Sequence, residues 1–242
     1  MRFGRLARLH GAEGMQRLLR ASVCVVGVGG VGSWTAEALA RSAIGQITLV
    51  DPDVVCISNF NRQLPALEGQ VGRPKAEVMA ARLQAINPAC RVQALIARFS
   101  ETTAEALLAA RFDFVVDAID QPANKALLIA RCRQKEIPIV CSGGAAGRRD
   151  PCAIRLGDLA QTARDELLKE VRRKLREEHG FAFDTKRPAG VPCVFSTEPP
   201  IEPAEDAAPR EARDHGYGTA SFVTGAFGLV AASCVVSRLA AG

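Results

Sequence analysis

A short apolar run, Ala21–Val26, opens directly into Gly27-Val28-Gly29-Gly30-Val31-Gly32, and helical spacing follows over Ser33–Arg41. Few folds use such a junction. Glycines at Gly27, Gly29, Gly30 and Gly32 let the backbone approach a phosphate closely, and the start of the next helix offers unpaired N–H groups at the positive end of its dipole. A second apolar run, Gln46–Val50, ends in Asp51. That acid stands on the order of 20 residues after the turn, where a carboxylate accepts hydrogen bonds from ribose hydroxyls. Strand, glycine turn, helix, strand and acid in this order describe a nucleotide-binding unit. The expected fold is α/β and Rossmann-like: a mostly parallel sheet with flanking helices, a helical and loop insertion, and a C-terminal apolar helix.

Dinucleotide oxidoreductases share this unit, but the residues beyond Asp51 point elsewhere. Ser58-Asn59-Phe60-Asn61-Arg62-Gln63 is polar and carries a fixed cation, and the Gly72-Arg73-Pro74-Lys75 turn delivers Lys75 to the head of an amphipathic helix, Ala76–Ile86. Two cations suit a triphosphate better than a pyrophosphate bridge. Either one alone reads as a solvated surface charge; ordered behind a glycine turn and a ribose acid, Arg62 and Lys75 read as phosphate ligands. A further strand, Phe112–Val116, ends in Asp117-Ala118-Ile119-Asp120. Ligands of open parallel sheets lie outside the carboxyl ends of the strands. An acid there, beside a triphosphate, holds Mg²⁺ through oxygen ligation. Asp120 is that candidate, with Asp117 read as buried or structural and Lys125 as the start of the next helix. The strand Ile137–Cys141 then leads to Ser142-Gly143-Gly144-Ala145-Ala146-Gly147, a second small-residue turn on the same edge.

The series Gly27-x-Gly29-Gly30-x-Gly32, Asp51-x-Asp53, Ser58-Asn59-x-Asn61-Arg62-Gln63, Gly72-x-Pro74-Lys75 and Asp117-x-x-Asp120 resembles the ubiquitin-activating-like superfamily. Its members bind ATP with Mg²⁺ and adenylate a carboxylate, expelling pyrophosphate. Arg2-Phe3-Gly4, Arg8-Leu9-His10-Gly11, Asp158-Leu159-Ala160-x-Thr162, Cys193-Val194-Phe195-Ser196-Thr197-Glu198 and Ser221-Phe222-x-Thr224-x-x-Phe227-Gly228 look like the tRNA threonylcarbamoyladenosine dehydratases within it. The resemblance implies ATP-driven cyclisation of the threonylcarbamoyl group that certain tRNAs carry on an adenosine. It implies a nucleotide site of the four glycines, Asp51, Asp53, Ser58, Asn59, Asn61, Arg62, Gln63, Lys75, Asp120 and Gln121. It also implies a homodimer in which an N-terminal arginine, Arg2 or Arg5, enters the partner's ATP site. Gln121 and Pro122 depart from the pattern, since adenylating relatives often carry Asn or a hydroxyl residue there. Two other readings share these residues. One is activation of the C-terminal carboxylate of a ubiquitin-like sulfur carrier, of molybdopterin or thiamine type, with a cysteine desulfurase or sulfur-acceptor partner. The other is a nucleotide-binding module without catalysis, which Lys75 and Asp120 argue against.

Composition narrows the remainder. The chain has 242 residues, enough for one sizeable α/β domain with an insertion, and 48% hydrophobic residues suit a soluble core. Aromatics at 5% argue against a base-stacking platform, and a net charge of +5 permits a tRNA partner without requiring one. No charged-then-apolar leader is visible, which predicts a cytosolic protein. The eight cysteines form no Cys-x-x-Cys pair, so no zinc site is expected and the thiols are expected to stay reduced. Cys24 and Cys234 read as core filler. Cys193 follows a Pro/Gly loop and has two readings: a nucleophile, because relatives that transfer ubiquitin-like proteins use a cysteine thioester, or a packing or substrate-positioning residue, because dehydration needs no thioester.

The chain reads as one adenylation domain in three parts: a nucleotide-binding core over 1–160, a basic helix and flexible crossover over 161–216, and a C-terminal packing helix over 217–242. Leu167, Leu168, Val171 and Leu175 at helical spacing predict an amphipathic helix within Asp165–Arg187. Its Arg172, Arg173, Lys174 and Arg176, together with Lys169, Lys186 and Arg187, are either a solvated face or tRNA phosphate contacts. Pro199–His215 reads as a flexible crossover. Tyr217–Ser237 has no charge and is long enough to span a bilayer, but its small residues favour a helix buried in the protein over a membrane span.

Overall fold

A computed structural model describes residues 2–184, 187–202 and 217–242; Lys186 of the basic segment and 203–216 of the crossover lie outside the described residues. β1 (Ser22–Val26), β2 (Gln46–Val50), β4 (Phe114–Asp117) and β5 (Ile139–Ser142) are buried almost throughout. Continuous rather than alternating apolar runs are what a parallel sheet covered on both faces requires. With β3 (Arg91–Leu95), β6 (Ile154–Asp158) and β7 (Pro192–Ser196) they form a seven-stranded sheet of order β3-β2-β1-β4-β5-β7-β6. All neighbours pair in parallel except β6 with β7.

Period-two side-chain alternation divides the sheet between two cores. Val23 and Val25 of β1 face a cluster with α1 (Gly4–Arg20), α2 (Gly32–Arg41), α3 (Lys75–Ile86) and α7 (Ser221–Ala241). Cys24 and Val26 face α4 (Ala104–Leu107), α5 (Pro122–Gln134) and α6 (Glu166–His179). Burial raises the Cys24 thiol to about 12, which suits the filler role. Helices α2 and α3 each begin one residue ahead of the expected start, at Gly32 and Lys75. Lys125 stands in the first turn of α5, which Pro122 opens.

Residues 161–216 contain more than a helix and a crossover. β7 comes from this segment and fills the sheet between β5 and β6, so a boundary at residue 160 would divide two hydrogen-bonded strands. The bilayer-length helix α7 is built into the protein. Its Val223, Phe227 and Val235 are fully buried. Thr35 Oγ1 donates to the Gly228 carbonyl at 3.1 Å, and a Cβ on Gly228 would come within 2.6 Å of the Val31 carbonyl oxygen. Close backbone contact of this kind needs glycine. A buried aromatic truncated to alanine costs about 3–5 kcal/mol. Phe227→Ala should therefore lower unfolding stability by about that amount in urea titrations, and an unchanged midpoint would contradict the core placement.

Candidate active site

The carboxyl ends of β1, β2, β4 and β5 open on a cavity of about 990 Å³. At one end lies the glycine turn. Gly27 has φ 91°, a conformation that disfavours side chains, and a Cβ on Gly32 would collide with the Gly27 carbonyl. Asp51, buried at the end of β2, fixes this turn: its Oδ2 accepts from Val28 N at 2.6 Å and its Oδ1 from Asp53 N at 2.8 Å. Burial pushes the Asp51 carboxyl upward, and the two N–H bonds hold it down. Among the described residues none accepts from the N–H groups of Gly29 and Gly30, which leaves donors at the head of α2 for an anionic ligand.

Cations face this turn. Lys75 Nζ lies 3.1 Å from Asp53 Oδ2, and its backbone N donates to the Asp53 carbonyl, so the head of α3 is fastened to the Asp51–Asp53 segment. Arg62 donates to the Ser58 carbonyl at 2.7 Å and to Asn61 Oδ1 at 2.9 Å, while its own carbonyl accepts from Trp34 Nε1. Gln63 is buried at the cavity wall with Oε1 lacking any partner among the described residues. Such an atom is costly to bury unless a ligand or water completes it. Across the cavity Asp120, three residues past β4, is exposed and has no partner among the described residues. Gln121 adjoins it and accepts from Asn124 Nδ2 at 2.9 Å. Beneath them Asp117 and Lys125 form a fully buried ion pair, 2.9 Å apart, in keeping with the structural reading of Asp117.

The cavity thus gathers Gly27, Gly29, Gly30, Asp51, Asp53, Ser58, Asn61, Arg62, Gln63, Lys75, Asp120 and Gln121. Other candidates fall outside it. Gly32 lies under the turn as packing, and Asn59 is buried as a turn cap, its Oδ1 accepting from Cys56 N at 3.1 Å. Arg5 is exposed on α1, away from the cavity. Cys193 is fully buried in β7, directly opposite Cys141 of β5, with the two sulfurs facing each other and Cα atoms 4.8 Å apart. A fully buried sulfur outside the cavity lining suits the packing reading of Cys193 rather than the nucleophile reading. On α6 the cations are largely engaged. Arg172 turns inward to the Leu159 carbonyl and Thr162 Oγ1. Arg173 pairs with Glu170 and Glu177, and Lys174 with Glu178. Arg176 lies 6.0 Å above the Phe183 ring.

Several lining residues were not among the sequence candidates. Ala97, Arg98 and Phe99 follow β3, an edge strand whose residues are mostly half-exposed; extending the strand-end rule to β3 would have found them. Asn124, Leu167, Tyr217, Gly218, Thr219 and Thr224 close the other side, with Asn61 Nδ2 donating to the Thr219 carbonyl at 2.9 Å. Of these only Thr224 belongs to a quoted motif, and that motif gives no sign of the cavity, because three separate segments meet there.

Comparison with known proteins identifies the family and the fold. The ThiF family model matches residues 3–240. The chain is 43% identical to the tRNA threonylcarbamoyladenosine dehydratase of Escherichia coli, over 99% of this chain and 94% of that protein. It is 42% identical to the enzyme of the same name from Haemophilus influenzae, over 98% and 93%. The crystal structure of the Escherichia coli dehydratase in complex with ATP superposes with a TM-score of 0.91 at 44% identity, covering 99% of this chain and 94% of that one. With a match that spans the glycine turn, the acid-ended strands and the C-terminal helix alike, the chain belongs to the ThiF family.

Proposed function

We propose that this protein is an ATP-dependent tRNA threonylcarbamoyladenosine dehydratase, which closes the threonylcarbamoyl group on adenosine into a ring through an acyl adenylate. The observation that carries the reading is one cavity holding the glycine turn, Asp51, Arg62, Lys75 and Asp120 together. Near full-length likeness to proteins named for this activity supports it.

The chemistry follows from the groups present. A carboxylate is a poor electrophile. Its oxygen attacks the α-phosphorus of ATP, the bond to pyrophosphate breaks, and the acyl adenylate forms. The carbamoyl oxygen of the same substrate then attacks the activated carbonyl carbon. The bond to AMP breaks and a proton leaves, so water is eliminated from the substrate overall. That step is intramolecular, and orientation supplies much of its rate. Arg62 and Lys75 offset charge that develops on the α-phosphate and pyrophosphate, while Asp51 receives the ribose. Asp120 fits a Mg²⁺ site, since an exposed carboxylate without a protein partner among the described residues can complete an oxygen shell built largely from phosphate and water. When bound, the ion would neutralise phosphate charge. Activation of a sulfur carrier would use the same nucleotide groups and differ in what enters the far end of the cavity.

The reading extends to assembly and partners. Arg5 on the exposed first helix would serve the cavity of a second copy in a homodimer. A cysteine desulfurase or sulfur-acceptor system remains a candidate partner, and action on tRNA implies a cytoplasmic protein. On α6, Arg173, Lys174 and Arg176 are the phosphate-facing candidates, because surface ion pairs with glutamate are weak enough to exchange for phosphate. Arg172 is not, being turned inward.

Three measurements check this. ATP with Mg²⁺ should raise the melting temperature and NAD should not, because only a ligand of the native state adds stability; a shift with NAD alone would restore the dinucleotide reading. Asp120→Ala should leave the fold intact and abolish turnover. Retention of more than about a tenth of the wild-type rate, equivalent to under roughly 1.4 kcal/mol, would remove the magnesium role. Replacing Arg173, Lys174 and Arg176 with Ala should flatten the salt dependence of tRNA binding by about one unit of slope for each phosphate these side chains neutralise. Equal slopes in titrations of mutant and wild type would leave α6 a solvated face.

A further inference from the structure

The cavity wall opposite the glycine turn is the Ser142–Ala146 turn after β5, and it is fastened in an unusual way. Asp165, buried just ahead of α6, uses its two oxygens on different elements. Oδ1 accepts from Leu168 N at 2.9 Å and caps α6, while Oδ2 accepts from Gly144 N at 2.9 Å. The turn answers in the other direction. Arg148, itself buried, donates to the Arg164 carbonyl at 2.7 Å and also to the Glu198 carbonyl. Residues 144–148 and 164–165 are thus stitched by two reciprocal bonds. The stitch holds Arg164 at φ 57°, a conformation that non-glycine residues seldom adopt unless their surroundings enforce it. Gly143 has no room for a side chain, because a Cβ there would collide with Asp165 Oδ2.

Ala145 and Ala146, which follow directly, line the cavity, and no described residue accepts from their N–H groups. Adjacent backbone donors in a fixed turn suit a carboxylate, and they serve only where the turn cannot move. None of these residues belongs to the nucleotide end, where Asp51, Arg62 and Lys75 are held by other contacts.

We infer that Asp165, whose neighbour Arg164 is held by Arg148, is the positioning residue for the substrate end of the cavity, holding the Gly143–Ala146 turn so that the Ala145 and Ala146 N–H groups seat the carboxylate to be adenylated. The inference rests on the dehydratase reading for the identity of that carboxylate. α6 thereby acts through its N-terminal cap, as a brace for the cavity wall. The neighbouring Leu167 lines the cavity from the same helix start.

Two substitutions separate bracing from folding. Asp165→Ser keeps a good helix cap with a side chain too short to span both elements. Asp165→Asn keeps the length and cap but can turn an NH₂ towards Gly144 N–H. Each is assayed in the full-length protein by steady-state kinetics with threonylcarbamoyl-modified tRNA and ATP, beside melting temperatures with and without ATP. The expected result is a KM for modified tRNA raised about tenfold or more, a KM for ATP within about twofold of wild type, and an undiminished stabilisation by ATP. Variants with wild-type KM for the tRNA, or with both KM values raised together, would overturn the bracing role even where the melting temperature falls. A wild-type protein inactive on modified tRNA would overturn the dehydratase reading first, and this inference with it.

Discussion

The carboxylate of Asp51 joins two parts of the chain that would otherwise be free to separate. One oxygen accepts from Val28 in the glycine turn and the other from Asp53 beyond β2. A buried carboxylate is expensive to desolvate unless its lone pairs are used, and charge-assisted bonds to backbone N–H groups are among the stronger ones available. The same contacts set the spacing of the site, because Asp53 in turn holds Lys75 at the head of α3. Moving any one of these groups would move the others. The glycine turn, Asp51 and Lys75 therefore form a single rigid unit on the edge of β1 and β2.

A second buried acid plays a comparable part under the other half of the cavity. Asp117 at the end of β4 pairs with Lys125 of α5, both without solvent contact. Such pairs add little net stability against an apolar replacement, but removing one partner strands a charge at a cost of about 3–5 kcal/mol. The value of this pair is geometric. It fixes α5 to β4 just below Asp120, so that an exposed carboxylate with no protein partner among the described residues is still presented at a defined point. Lys125 also lies close enough to Asp165 to help hold its carboxyl down against the upward push of burial. The two halves of the far wall consequently share one charge-balanced interior.

Much of the nucleotide end was legible in the sequence because its groups are close neighbours along the chain or follow strand ends. The glycine turn, Asp51, Lys75 and Asp120 all obey that local logic. Membership of a motif could not, however, separate ligand contacts from scaffold. Gly32 and Asn59 belong to the pattern but support the turn from beneath. Asp165 was invisible as a site residue because its partner, Gly144, is distant in sequence and the contact uses a backbone N–H. The amphipathic period of α6 predicted a helix with Leu168, Val171 and Leu175 inward, as found. It gave no hint that Arg172 would turn in as well, since the Leu159 carbonyl that receives it lies on another element. The position of Cys193 was open in the sequence for a related reason: register with Cys141 is a property of the sheet, not of either strand alone.

The separation of the cavity into two ends has a physical consequence for how such a site can change. Groups at the glycine-turn end come from β1, β2 and the head of α3, and they are mutually constrained through Asp51 and Asp53. Groups at the other end come from the β5 turn, the start of α6 and the Tyr217–Thr219 segment, tied by Asp165, Arg148 and the bond from Gly147 N to the Gly218 carbonyl at 2.7 Å. Asn61, through the Thr219 carbonyl, bonds the two sets directly. On the proposed function, a substitution in the second set can reshape what is adenylated while the glycine-turn unit keeps its geometry. The reverse does not hold, because displacing the phosphate groups would remove the reaction for every carboxylate alike. On the proposed function, substrate identity is therefore set by the β5 turn and its anchor points, and the glycine turn and Asp51 carry information about the nucleotide alone.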